Sequence, residues 1–342
     1  MIMKKILLAA VAALAIVGCS QNEEIEKAGE KAEINFGTVV SKTTRAAETN
    51  LATLQGEGIG FTVYAYNSGT EDMSAVTAAS GLTSFMSVVK VTYNASNKWE
   101  ATGGPYYWPL TDKIQFFAYG NPSTDALVYN VPTGSQIYPT ITYTVADVAK
   151  QTDFVVAKET NKTKTNSASG VSLAFTHALA QVNFSVKGAD KYTYKVTSIT
   201  LKGIANAGTY DFGTNEWGTP TGTATYLYSL KDENSVTGTE AYAIGADNSA
   251  LMLMPQKMPT EEKKATIEVV YQVFDSANVD AKAITEVITS TIDLKGSTDW
   301  ETGKKIRYIL KLANTGATVD FVVPEVGAWG TTPDKDLDTP TK

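Results

Sequence analysis

Beyond residue 30, apolar and polar side chains mostly alternate, and glycine, asparagine and proline break the alternation into short runs. A period of two bounded by turn residues is the pattern of half-buried strands, whose successive side chains point to opposite faces. In the first half it predicts strands over residues 34–39, 61–66, 114–119, 151–157 and 171–177. In the second half it predicts strands over residues 181–187, 195–202, 208–212, 250–254, 266–274, 284–294, 305–312 and 318–323. Residues 75–80 and 145–150 are the only plausible helices, both short. Many short strands with so little helix argue for an all-β chain of antiparallel sandwiches rather than for β-α-β units. The length of 342 residues predicts about two domains. We place their boundary near residue 182, with residues 175–184 as a strand bridging it.

Ahead of the strands, Lys4 and Lys5 precede an unbroken apolar run over residues 6–17, which leads into Gly18 and Cys19. A basic start and an apolar stretch of this length form a secretory signal, too short to span a bilayer as a helix. Small residues followed by cysteine match the lipobox of bacterial lipoproteins. There the cysteine thiol takes a diacylglyceryl group, and buried acyl chains such as palmitate hold the protein on a membrane. Cys19 is the chain's only cysteine. Once lipidated, it leaves no thiol for a disulfide, a metal or nucleophilic catalysis. Residues 20–26 are polar and acidic and read as a solvated tether between lipid and domain.

Composition narrows the function. Hydrophobic residues make up 43% of the chain and charged ones 19%, enough apolar material for packed cores and against disorder. With 29 basic and 36 acidic residues the net charge is −7. No basic cluster offsets it, which argues against a nucleic-acid partner. The single histidine, His177, shares a strand face with Leu173 and Phe175 and reads as a packed structural residue. No second histidine exists to complete a metal pair, and no HExxH, P-loop, GxSxG or CxxC pattern occurs. Gly56, Gly58 and Gly60 precede a strand rather than a helix, so they do not cradle a phosphate. Asp334, Asp336 and Asp338 are spaced faintly like a calcium loop but lack its glycine and closing glutamate. Asp299, Glu301 and Glu325 would form an acid–base pair only if folding happened to join them. The expectation is no enzyme, no cofactor and no metal. Tyr106, Tyr107 and Trp108 read first as core packing and second as a sugar-stacking platform. Ser276, between Asp275 and Ala277, has the form of an O-glycosylation acceptor.

The specific signal is an ordered set of segments. Lys42-Thr43-Thr44-Arg45-Ala46 follows the first predicted strand, and Tyr107-Trp108-Pro109 precedes the run at 116–119. Then come TDFVVA at 152–157, LAFTHALA at 173–180, TLKGI at 200–204, LMPQ at 253–256, WETGK at 300–304 and FVVPEVGAW at 321–329. With the lipobox at Cys19, this order resembles the fimbrillin family, the type V pilus subunits of Bacteroidota, over essentially the whole chain. The resemblance implies two tandem transthyretin-like antiparallel β-sandwich domains, exported as a lipoprotein precursor to the outer membrane and cell surface. It implies cleavage between Arg45 and Ala46 by an Arg-specific protease, which releases the lipid anchor and the first strand.

That first strand would cap its own domain through Ile34, Phe36 and Val39. Its loss opens an apolar groove with unpaired backbone groups, a template for another chain. The carboxyl-terminal region of another pilus subunit then fills the groove. Here that region is residues 318–329, where Val319, Phe321 and Val323 alternate to one face. Such a head-to-tail contact does not close and propagates as a filament. The implied organisation is a signal peptide (1–18), a tether with a removable strand (19–45), two sandwiches (46–182 and 183–329) and a polar tail (330–342). The other reading is a surface glycan-binding outer-membrane lipoprotein, which requires exposed aromatic platforms and no processing after Arg45.

Overall fold

The computed structural model describes residues 31–40, 49–123, 127–232, 234–247, 249–277, 282–314 and 319–328. Its first half contains β1 (Phe36–Val40), α1 (Leu51–Leu54), β2 (Phe61–Asn67), β3 (Thr83–Tyr93), β4 (Trp99–Ala101), β5 (Ile114–Gly120), β6 (Val128–Asn130), β7 (Thr140–Thr144), β8 (Val155–Lys162) and β9 (Val171–His177). Then follow β10 (Ala180–Lys187), β11 (Tyr192–Ile204), β12 (Ala207–Asp211), β13 (Glu216–Trp217), β14 (Ala224–Leu227) and β15 (Ser235–Thr237). The chain continues with β16 (Tyr242–Ala243), β17 (Leu251–Leu253), β18 (Thr266–Asp275), β19 (Ile288–Asp293), β20 (Lys304–Lys311) and β21 (Asp320–Ala328).

Two sequence expectations change here. The helices expected at 75–80 and 145–150 are isolated 3-10 turns, Met73–Ala75, Ala79–Gly81 and Val148–Lys150. Alanine-rich runs this short do not meet the cost of nucleating an α-helix. The strand expected over 175–184 is two strands, because β9 ends at His177 and β10 begins at Ala180 in a different sheet. Ala178 and Leu179 between them are fully buried, so the apolar run continues through the change of sheet and hides it.

The first half is organised around a seven-stranded sheet in the order β1-β9-β8-β5-β2-β3-β4. Its central strands are buried on both faces. Phe61, Val63, Ala65, Phe116 and Ala118 point into one core with Ile34, Phe36, Leu54, Val171, Leu173 and Phe175. Tyr64, Tyr66, Phe117, Phe154 and Val156 point the other way, into a larger core that runs on through the second half. Gly60, at φ +54°, lets β2 start where any Cβ would overlap the Val91 carbonyl. The second sheet, β13-β12-β7-β6, joins the halves, since β12 follows β11 in the chain yet pairs antiparallel with β7.

The remaining strands form two sheets, β16-β10-β20-β21 with β17 beside β10, and β14-β11-β18-β19 with β15 beside β11. Val182, Phe184 and Val186 of β10 and Ile306, Tyr308 and Leu310 of β20 supply alternate residues to the core between them. Tyr194, Val196, Ile199 and Leu201 of β11 supply the opposite side. The step from 196 to 199 is a bulge, seen as a register shift against β18.

Candidate functional site

The segment from residue 32 to residue 40 lies between two edges of the first sheet. After Asn35 it runs parallel to β9, with Phe36 opposite Val171 and Val40 opposite Phe175. Before that it pairs with the stretch that follows β4. The Ile34 N–H donates to the Tyr106 carbonyl at 2.8 Å, and the Trp108 N–H donates to the Ala32 carbonyl at 2.9 Å. Ile34 is 4% exposed and Phe36 8%. The Phe36 ring meets Phe61 and Phe116 edge-on, each with centroids 5.9 Å apart, and Phe61 in turn packs on Phe175 at 5.2 Å. Burying such a ring is worth about 2–3 kcal/mol, with further gain from the edge-to-face geometry. The third position on this face is Thr38, opposite Leu173. Its Oγ1 is buried without a hydrogen-bond partner among the described residues. Ile34 and Phe36 thus act as a plug, one with a polar defect at its far end.

The chain is next described at Thr49, where it is pinned. The Thr49 N–H donates to Asp153 Oδ2 at 2.7 Å, and its hydroxyl donates to the Asp153 carbonyl at 2.6 Å. Asn121 Nδ2 donates to the same hydroxyl at 2.7 Å. His177 Nδ1 lies 2.7 Å from Asp153 Oδ2. Thr49 and Asp153 are fully buried and His177 is nearly so, which makes these bonds costly to break. Asn50 then caps α1, accepting from the Thr53 N–H at 2.9 Å. Burial pushes the neighbouring Tyr143 hydroxyl up, and the Asp153 carboxylate adds to the shift.

His177 therefore sits in the core, as its strand face predicts, but as a partner of Asp153. Sequence reasoning missed Asp153 and Thr49. The available signal was an aspartate inside the apolar run 151–157, because a carboxylate in a buried strand needs partners. Two of the family-like segments, TDFVVA and LAFTHALA, meet in this one hydrogen bond.

Among the other predicted residues, Cys19, Arg45 and Ala46 lie outside the described residues. Val39 pairs with Ala174 through the backbone, and its side chain is outside the described residues. Val319 is 4% exposed. Phe321 and Val323 belong to β21, which pairs antiparallel with β20 of its own chain, with Phe321 opposite Leu310; their side chains are outside the described residues. Trp108 lies edge-on to Phe116 at 6.0 Å, and Tyr106 packs against the same core. Tyr107 is 39% exposed, beneath Lys31. Ser276 is half-buried in the turn after β18, its N–H held by the Lys191 carbonyl at 3.1 Å.

The LMPQ and WETGK segments also meet. Gln256 exchanges backbone bonds with Trp300 at 2.8 and 2.9 Å, and its side-chain amide donates to the Ala205 and Met254 carbonyls. Trp300 Nε1 donates to the Tyr308 hydroxyl at 3.0 Å. These segments knot the second half together. A cleft of about 780 Å³ beside them is lined by Trp217, Glu216, Asp299 and Glu301. Asp299 there accepts from the Met258 N–H at 2.7 Å. Among the described residues no three metal-binding side chains converge, and no helix is long and apolar enough to cross a membrane.

Comparison with known proteins adds a family. The profile of the family described as Fimbrillin-like matches residues 44–329. The chain is 24% identical to the fimbrium subunit Fim1C of Phocaeicola vulgatus, over 97% of this chain and 98% of that protein. A fimbrial protein from Bacteroides vulgatus has a similar fold, with a TM-score of 0.68 and 20% identity across 87% of this chain and 99% of its own. A candidate cell-adhesion protein from Bacteroides ovatus superposes with a TM-score of 0.50 and 14% identity, across 88% and 99% of the two chains.

Proposed function

Because the chain belongs to the fimbrillin-like family, we propose that it is a structural subunit of a surface fimbria that serves adhesion, not an enzyme. It is exported as a lipoprotein held at the outer membrane through Cys19, in two β-sandwich domains that meet near residue 182. An Arg-specific protease cuts after Arg45, and the anchor leaves with the plug. The groove lined by Phe61, Phe116 and Phe175 then takes a strand from the carboxyl-terminal region of another subunit.

The observation that supports this best is the local arrangement around Arg45. Upstream of it lies a short edge strand that fills a groove with Ile34 and Phe36. Downstream lies a buried anchor at Thr49, four positions after the cut. A single cut between plug and anchor frees the one and retains the other. An open sheet edge with an apolar floor is unstable alone and templates pairing, so cleavage converts a capped monomer into an assembling subunit.

The test is a timed digestion of purified precursor with an Arg-specific protease, reading the new amino terminus and denaturant-resistant ladders. A terminus at Ala46 followed by ladders is expected. Arg45→Ala precursor is expected to stay folded and monomeric; if it polymerised at the wild-type rate, cleavage there would not be the trigger.

A further inference from the structure

We propose that the strand replacing β1 is β21 of a second copy, that it lies antiparallel to β9 where β1 lies parallel, and that Phe321 takes the place of Phe36. This rests on the strand-donation reading above and adds to it a register and a direction. In the resident plug the groove-facing positions are Ile34, Phe36 and Thr38, spaced by two around one aromatic ring. Val319-Asp320-Phe321-Val322-Val323 has the same spacing, with its phenylalanine in the middle. The Phe36 position is walled by Phe61 and Phe116, with Phe175 behind Phe61, so a second phenylalanine conserves both volume and edge-to-face contacts.

The pattern Val-x-Phe-x-Val is symmetric about Phe321, so it fits the groove in either direction and the flanking residues decide. Laid in the direction of β1, Pro324 falls at the position of Val39 and Glu325 at that of Val40, opposite buried Phe175. Both positions are inside the β9 ladder. Proline brings no N–H to a ladder, and a lone carboxylate in that core has no compensation. Laid the opposite way, Val319 replaces Thr38, Asp320 replaces Gly37 and Val323 replaces Ile34. Pro324 and Glu325 then pass out beyond Val171, where β9 begins. A Cβ at Gly37 meets nothing within 4 Å, so Asp320 has room on the outward face beside exposed Ser172.

Three terms favour the exchange, the first two in either direction and the third only in the antiparallel one. A valine methyl replaces the Thr38 hydroxyl that is buried without a partner. A residue with a side chain replaces a strand glycine. Antiparallel pairing replaces a parallel pair, which is slightly weaker per residue. Against these stands the loss of β21 from its own subunit, where it is an edge strand paired with β20. The resident plug is thus the poorer of two fillings.

Engineered cysteines test the direction in a Cys19→Ala precursor, which contains no other thiol. Ser172→Cys with Asp320→Cys places two outward Cα atoms opposite each other only in the antiparallel arrangement. Ser172→Cys with Val322→Cys does so only in the parallel one, and otherwise leaves them diagonal, beyond disulfide reach. Each precursor is cut with the Arg-specific protease, oxidised and run on non-reducing gels. Disulfide-linked ladders from the first pair, with none from the second, are the expected result. Ladders from the second pair overturn the direction. Polymers in which neither pair links overturn the register, while strand donation stands. If the cut Cys19→Ala parent forms no polymer at all, strand donation itself fails and takes this proposal with it.

Discussion

β1 and β21 are both edge strands, and they are held in different ways. β1 spans five residues, pairs parallel with β9 and reaches back to the 106–108 stretch through residues 32–34. β21 spans nine residues and pairs antiparallel with β20, its single strand neighbour among the described residues. The short strand does the work of a plug, since its value lies in two buried side chains rather than in its ladder. The long strand does the work of a zipper, since its ladder is long but open on one side. Under the strand exchange proposed above, a strand that leaves after one cut gains from few backbone bonds and a polar defect. A strand that moves intact to a new partner would gain from length and from a pattern the new site also accepts.

The largest expected effect comes from exchanging the two phenylalanines for aspartate, one at a time. Phe36→Asp puts an unpaired charge among Phe61, Phe116 and Phe175 and should lower precursor stability by about 4 kcal/mol, read as a fall in the urea midpoint. If cleavage after Arg45 releases the first strand as proposed, the cut subunit no longer carries residue 36, and filaments grown from that variant should match wild type in denaturant resistance. Phe321→Asp should do the reverse, leaving cleavage intact and abolishing ladders. If both variants lost filaments alike, the plug and the zipper would not be separate devices.

Next in size is the buried anchor at Thr49, downstream of the proposed cut. Asp153→Ala removes acceptors for the Thr49 N–H and His177 and should cost about 3 kcal/mol. The position of that loss is the sharper readout. In hydrogen exchange on the cut subunit, the Thr49 and Leu54 amides should lose protection in the variant while β18 keeps it. Uniform loss across both halves would mean that the pair supports the whole core rather than the segment behind the cut.

A smaller effect probes the defect in the plug. Thr38→Val keeps the shape of the side chain and removes the hydroxyl that is buried without a partner. It should stabilise the precursor by about 1 kcal/mol or somewhat more. After cleavage it should lengthen the lag before ladders appear, on the order of tenfold per 1.4 kcal/mol if release of the plug limits the rate. A stabilised precursor with an unchanged lag would place the slow step elsewhere, for example in the release of β21 from β20.

Much of this arrangement is legible in the sequence where one strand face is buried and the other is wet. β9 reads buried, exposed, buried throughout, and its predicted limits, 171–177, are the observed ones. β3, eleven residues long, was not anticipated, because its buried residues Met86, Val89 and Val91 are out of step by one. The pairing with β2 shifts register there, and a bulge erases the period on which sequence reading depends. Within the site, Ile34 and Phe36 were visible as alternating apolar residues. Thr38 was not, because a threonine in a strand reads as solvent-facing until its neighbours are known. The buried Asp153 has a local mark in its apolar run, but its partner is hidden for another reason. Thr49 and Asp153 are 104 positions apart, and nothing local marks either as the other's partner.

The bulge in β3 supplies the smallest prediction and a third edge for comparison. β4 covers β3 only from Val91 to Tyr93, so the stretch from Thr83 to Val89 has no strand on its far side among the described residues. Val88 there has φ +52° and is 64% exposed. A β-branched residue in the left-handed region is strained by about 1–2 kcal/mol, and nothing buried rewards it. Val88→Gly should relieve that strain, in part offset by the entropy of glycine in the unfolded chain, for a net gain near 0.5 kcal/mol. The bulge itself should remain, since it follows from the pairing of Val63 and Ala65 with Val89 and Met86. A bulged edge is a poor template for pairing, so ladder formation after cleavage should be unchanged in this variant. Faster or branched assembly in Val88→Gly would mean that the valine, and not the bulge, guards this edge. The contrast between a plugged, a zippered and a bulged edge would then have to be drawn from side chains rather than from backbone geometry.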